Sequence, residues 1–275
     1  MSSSPIQTEA LFLPDRNVVS LIKEAVAGRT PSDPKKQAYL DSLHRLDVPE
    51  HSVSPLLSIM EGEKGYEDSV SEKEACLEKE TAAVGQFFKV ASTDSVHLLS
   101  LKSMAAQLFA GPRGNQWQER AAFLLKAAPL VAHKVTARKR KAVDDGLVQL
   151  ALAAGLSTND PIVVFFLACL YGNDAARKVI KPKNPGVHNV LTDIHIISRV
   201  GMVKAAARQL PIPLKVRLLT RDEGLFDMLN HMRISRPHFN VAGRLQMDIR
   251  YAPELFPELP DIDRVAMLQR LNRPA

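Results

Sequence analysis

The chain predicts an α/β fold, a central and mostly parallel sheet flanked by helices, carrying an all-helical insertion. Three observations lead there. Residues 10–13, Ala-Leu-Phe-Leu, make a short apolar run that Pro14 and Asp15 stop before a helical apolar pattern begins at Val18. Residues 215–219 repeat the device as a short buried strand: a run holding Val216, Leu218 and Leu219 halts at Thr220 and Asp222, and Leu225, Phe226, Met228 and Leu229 open another helical pattern. Between the two, residues 82–156 are Ala/Leu-rich at helical spacing. Strand, polar turn, helix is the repeating unit of a parallel sheet, and open sheets of this class place ligands at strand carboxyl ends.

Each element follows from local pattern. After a disordered lead at 1–9 and the first strand, Val18, Leu21, Ile22 and Ala25 share one face of a helix over 18–27, which Gly28 and the Pro31/Pro34 segment end. Residues 37–46 read as a helix exposed on one side, and Ser52 to Pro55 open the next, with Leu56, Leu57, Ile59 and Met60 as core and Glu61 and Glu63 following. Residues 64–81 are acidic and polar, a solvated helix or loop. Two to four helices fill 82–156, broken at 111–114 and at Pro129. Asp160-Pro161 is a helix start; the run 162–170 leaves helix and strand open, with Pro161 favouring helix. A long amphipathic helix runs from Asn189 to about Leu210, and Pro211 and Pro213 stop it before the strand at 215. Gly224 supplies a flexible turn after that strand. Residues 244–251 alternate, with Leu245, Met247, Ile249 and Tyr251 on one face of a half-buried edge strand, and 263–271 form a last helix. The division expected is one domain over 10–275, with the insertion at about 64–185.

Composition bounds the function. The chain has 275 residues, 45% hydrophobic and 24% charged, values ordinary for a globular protein. Aromatics are only 5%, which disfavours stacking platforms for single-stranded nucleic acid. The net charge of +6 permits a polyanionic partner. Cys76 and Cys169 have no paired spacing, so neither a disulfide framework nor a zinc knuckle is expected, and His188, His195 and His231 lack ligand spacing. The amino terminus is not a signal peptide, and 162–171 is too short to span a bilayer, so a cytoplasmic protein without membrane partners is the expectation. The basic stretch with Arg138, Lys139, Arg140 and Lys141 reads two ways, as phosphate contacts or as a face balancing Asp144, Asp145 and the acidic segment upstream.

Four carboxylates stand in order: Asp15 after the first strand, Glu61 on an early helix, Asp193 on a later helix and Asp222 after a later strand. Asp15 and Asp222 also suit helix caps. Phosphodiester hydrolysis needs an activated water and charge stabilisation on the phosphoryl oxygens, which Mg²⁺ or Mn²⁺ supplies. Those hard cations prefer carboxylate oxygen and retained water, and carboxylates crowded without a cation would repel one another.

The stretches around these residues resemble a PIN domain. Leu11-Phe-Leu-Pro-Asp15-Arg-Asn17-Val-Val-Ser-Leu21 is similar to its opening. Residues 54–61, ending in Glu61, look like its early acidic helix, and Asn189-Val-Leu-Thr-Asp193 resembles the later helix with the third carboxylate. Leu218-Leu-Thr220-Arg-Asp222 is similar to its Thr-x-Asp strand end, the most specific of the four. The likeness covers 10–63 and 186–250. The long span from Glu61 to Asp193 departs from the family and implies the insertion, and Asp160 is the alternative third carboxylate. The resemblance implies Asp15, Asp193 and Asp222 as metal ligands, Glu61 holding metal-bound water, Asn17 and Thr220 orienting the carboxylates, and Asp227 as a further acid. It implies Arg221 and Arg138–Lys141 against the substrate backbone. The activity implied is metal-dependent endoribonuclease, open to the toxin half of a bacterial pair, with an inhibitor protein or a second copy as partner. Two other readings stand beside it: a non-catalytic PIN-like scaffold that binds RNA or protein, and a nuclease on DNA or flap substrates.

Overall fold

Four short strands, all running the same way, make the sheet on which the amino-terminal part of the chain is built. The computed structural model describes residues 8–62, 68–109, 116–210 and 214–272. The lead through residue 7, Glu63, the break at 111–114 and the proline stop at 211–213 lie outside the described residues. The chain divides into two compact units, Met1–Pro112 with Val203–Arg221, and Arg113–Met202 with Asp222–Ala275.

In the first unit, β1 (Ala10–Pro14) is interior to the sheet and buries Ala10, Phe12, Leu13 and Pro14, the near-continuous apolar run that a covered parallel strand requires. Helix α1 (Arg16–Val26) starts at the Asp15 cap and buries Val18, Val19, Leu21 and Ile22. Helix α2 (Pro34–His44) has Asp33 as cap and Pro34 in its first turn, the position where a missing N–H costs nothing. Strand β2 (His51–Val53) and the short helix α3 (Leu56–Glu61) follow. Helix α4 (Val70–Phe87) begins with a capping box, Ser69 and Glu72 each satisfying the other's backbone N–H, and packs on α1. The carboxylate of Asp47 accepts from the backbone N–H groups of Lys89, Val90 and Ala91 at 2.8–2.9 Å and so fixes the turn into β3 (Ser92–Thr93). Helices α5 (Ser95–Ser100) and α6 (Lys102–Phe109) come next, and β4 (Lys215–Leu219) closes the sheet in the order β3-β2-β1-β4. Phe12, Ile22, Leu40, Val53, Val84 and Phe88 join one core beneath it.

Two expectations change here. The stretch 64–185 is not all helical, since it contains β3, and its part up to residue 112 belongs with the sheet rather than apart from it. Strand β4 is half-buried, not buried, because among the described residues it is an edge with a strand neighbour on one side only.

The second unit is built around α9 (Pro161–Leu170), all ten residues of which are buried. A helix apolar on every side has to be surrounded. Helices α7 (Trp117–Val131), α8 (Ala137–Ala153) and α10 (Asp174–Ile180) pack on it. Pro129 does not break α7 but sits in its last turns. Arg177 donates to the carbonyls of Val131 at 3.0 Å and Cys169 at 3.2 Å, satisfying acceptors that helix ends leave open. Helix α11 (Val187–Ala207) belongs to this unit as far as Met202. In α12 (Glu223–Asn230), Gly224 is helical rather than a turn; a Cβ there would lie 3.1 Å from the Ala175 carbonyl, so close packing with α10 requires it. The expected strand at 244–251 is β6 (Leu245–Tyr251), and it pairs antiparallel with β5 (Met232–Phe239) as a separate two-stranded ribbon. Helix α13 (Asp261–Leu271) is the last. Among the described residues, no helix is long and apolar enough to cross a membrane.

Candidate functional site

Because the four strands of the first unit are parallel, their carboxyl ends share one edge, and each ends in a polar residue: Asp15 after β1, Ser54 after β2, Asp94 after β3 and Thr220 after β4. Asp15 is only 4% exposed. Its Oδ1 accepts from Val18 N at 2.9 Å, and its own N–H donates to the Leu219 carbonyl at 2.8 Å, which extends the β1–β4 ladder to the strand end. Thr220 is buried beside it, and the Tyr39 hydroxyl donates to the Thr220 carbonyl at 3.2 Å. Burial first, and then the charge of Asp15, push the Tyr39 hydroxyl pKa far up against the opposing pull of Arg221. Tyr39 is therefore a neutral donor at any working pH.

Asp94 has the least settled carboxylate of the edge. The Ser54 hydroxyl donates to its Oδ2, while Oδ1 is buried with no donor from another described residue. Burial raises its pKa, opposed by the Ser54 hydrogen bond, by Asp94's own backbone N–H and by the charge of His97. Ser54 Oγ also accepts from Leu56 N at 3.3 Å, so one hydroxyl ties β3's end to the first turn of α3.

Glu61 ends α3, and its Oε2 accepts from Arg16 N at 3.3 Å, next to Asp15 in the chain. The helix end beneath it is fixed. Gly62 takes φ 80 and ψ 167, backbone angles open essentially to glycine alone. The buried Lys73 ammonium donates to the Ile59 carbonyl at 2.7 Å and pairs with Asp68 at 2.8 Å, and the Arg16 guanidinium reaches the Gly62 carbonyl.

The structure sorts the residues expected from sequence. Asp15, Glu61, Thr220 and the half-buried Arg221 belong to the first unit, but Asn17 is exposed on α1 with no described hydrogen bond to Asp15. Asp193, Asp222 and Asp227 belong to the second unit. Asp222 caps α12, its Oδ1 accepting from Leu225 N at 2.7 Å, as a structural aspartate would. Asp193 is half-buried on α11 and Asp227 exposed on α12. Asp160, the alternative third acid, caps α9 and is clasped by Arg120, with Nε at 3.2 Å and Nη2 at 2.9 Å from Oδ2. The acid that shares the sheet edge with Asp15 is Asp94, which the sequence reading passed over inside the Ala/Leu-rich stretch. Its signal was the short polar step Ser92-Thr-Asp94 ahead of Val96, Leu98 and Leu99, a compressed form of the strand, acid, helix pattern at Asp15.

The basic stretch is largely committed within its own unit. Lys134 and Arg140 both pair with Glu258, and Lys141 pairs with Asp145 at 2.8 Å. Arg138 and Lys139 are exposed with no ion pair among the described residues. Also among the described residues, no three His, Cys, Asp or Glu side chains lie close enough together to enclose a metal ion. Compared with known proteins, the chain matches no family model, no curated protein and no solved structure.

Proposed function

We propose that the first unit carries the hydrolytic centre of a metal-dependent endoribonuclease, with Asp94 as its first acid and Asp15 and Glu61 as further acids of the unit. No three acids close on one point among the described residues, so one or two carboxylates would hold an ion there and water would complete its shell. The observation that carries this reading is the Asp94 carboxylate at the carboxyl edge of a parallel sheet, one oxygen held by Ser54 and the other buried with no donor from another described residue. A buried acceptor left open costs about 1–3 kcal/mol, and a bound cation offsets that cost. The donor set suits Mg²⁺ or Mn²⁺, which bind through one or two carboxylates and keep several waters. Such an ion supplies Lewis-acid polarisation of a phosphoryl oxygen and a more acidic water.

The chain's own groups prepare the edge for this. Val18 N–H holds one oxygen of Asp15, and Arg16 N–H holds one oxygen of Glu61, so the orientation of each carboxylate is fixed. Tyr39 and the β1–β4 ladder fix Thr220. Asp222 enters the proposal through the Thr220-x-Asp222 sequence pattern alone, and Asp193 gives way to Asp94. The PIN resemblance favours RNA over DNA. A binding-only scaffold has one observation in its favour: the backbone contacts of Asp15 and Glu61 are those of ordinary helix caps and staples.

The test is calorimetric titration of Mn²⁺ into the wild type and Asp94→Asn, with cleavage of RNA and of a DNA flap on the same samples. The variant is expected to lose Mn²⁺ binding and at least about a hundredfold in RNA cleavage. Unchanged binding and cleavage in the variant would remove Asp94 from the site. A wild type that binds no Mn²⁺ would leave the scaffold.

A further inference from the structure

We propose that the solvent-facing side of the β5–β6 ribbon docks the phosphodiester backbone of a nucleic acid. The register sets Arg233 directly opposite Arg250, and both are exposed. No carboxylate pairs with either among the described residues. Like charges facing each other across an antiparallel pair are destabilising, so the ribbon holds a repulsion that an anion would relieve. One step along the same face Ser235 stands opposite Asp248, and Asp248 takes the guanidinium of Arg236 at 2.6–2.8 Å. His238 and Gln246 form the next pair. The face thus presents three arginines against one aspartate, while Met232, Ile234, Met247 and Ile249 on the other side are half-buried.

A cavity of about 310 Å³ opens beside this face, lined by Arg236, Arg250 and Ser157 and by the apolar Pro161, Met247 and Ile249. Two acids also line it, and each is already neutralised, Asp160 by Arg120 and Asp248 by Arg236. Arg250 is left as a guanidinium with no ion pair among the described residues, beside the Ser157 hydroxyl, and these are donor types that phosphate oxygens take. An acidic peptide would be met by the same charges, but two guanidinium groups facing each other across the ribbon suit the closely spaced, unbroken charge of a phosphodiester chain. Contacts to the backbone rather than to bases also fit a chain so poor in aromatics. The ribbon differs in this from the stretch around Arg138, most of whose cations are held by acids of the same unit.

The inference extends the nuclease reading and is tested apart from it, in EDTA, where metal-dependent cleavage is off. Fluorescence anisotropy of the full chain would be followed across a salt series with two probes of equal length, a single-stranded RNA and a DNA duplex. The variants are Arg233→Gln/Arg250→Gln, the conservative Arg233→Lys/Arg250→Lys, and Arg138→Ala/Lys139→Ala. The Gln pair is expected to weaken binding at least tenfold and to reduce the salt slope on the single strand by about 1.4, two contacts at about 0.7 each. The Lys pair should keep the slope, and the melting temperature of the Gln pair should not fall, because a repulsion has been removed. The probe whose binding responds identifies the strand type. Unchanged affinity and slope in the Gln pair, or no binding of either probe by the wild type, would overturn the proposal, whatever the Mn²⁺ assay shows.

Discussion

Replacing His195 by Gln should remove much of the acid sensitivity of the second unit. His195 is 5% exposed, and its Nε2 lies 3.0 Å from Nη1 of Arg120, so the ring is a neutral acceptor facing a fixed cation. Burial first, then the charges of Arg120 and Arg199, lower its pKa from 6.5 to about 3. Between those values the unfolded chain binds a proton that the folded chain refuses. Stability is therefore complete above the unfolded pKa and is lost as the pH falls through 6 and 5 toward 3. At pH 5 an unfolded imidazole is almost fully charged, and the cost of holding it neutral is RT ln(1 + 10^1.5), about 2 kcal/mol. Gln keeps an acceptor for Arg120 and has nothing to titrate. The assay is urea unfolding at pH 7 and pH 5, read by the fluorescence of Trp117, the chain's only tryptophan, whose ring centroid is 5.1 Å from that of His195. The wild type should lose about 2 kcal/mol more than the variant over this interval. Equal losses in the two proteins would refute the reasoning.

Two further outcomes follow from geometry. Gly62→Ala puts a Cβ against the Asp68 carboxylate and 2.9 Å from Lys73 Nζ at backbone angles a side chain resists, so it should cost at least about 2 kcal/mol in urea unfolding and loosen the end of α3 that carries Glu61. A normal midpoint with normal Mn²⁺ affinity would show that the helix end tolerates the change. Arg120→Met leaves the Asp160 carboxylate buried without its bidentate partner and should cost about 3–5 kcal/mol at pH 7, whereas a loss under about 1 kcal/mol would mean that water reaches Asp160.

Apolar period carried the parts of the fold that were legible in the sequence. It found the strands at 10–13 and 215–219, the helices on either side, and the alternation at 244–251, because each is long enough for a repeat to show. Strands β2 and β3 have three and two residues, too few for any period, and β3 is placed by the three N–H groups gathered on Asp47, a contact across more than forty residues. Strand β5 was hidden by Pro237, which argues against a strand unless there is a bulge, and the ribbon's register does shift between Ser235 and His238. The site was legible to the same extent. Asp15 and Thr220 announce themselves at the ends of readable strands, while Asp94 follows an unreadable one. The capping role of Asp160 could be read locally, but its Arg120 partner, forty positions earlier, could not.

The pairing of β1 with β4 also sets a clock. Ala10 waits for Lys215, so at about 5–20 residues per second β1 is made some ten seconds or more before the strand that covers its second edge. Throughout that interval the most apolar strand of the sheet can pair with β2 on one side only. Its other edge presents open N–H and C=O groups to any strand nearby, the template on which chains associate wrongly. A ribosome-bound chain stopped before residue 215 carries that edge uncovered, and its fate in the cell depends on what shields residues 10–14 until β4 arrives.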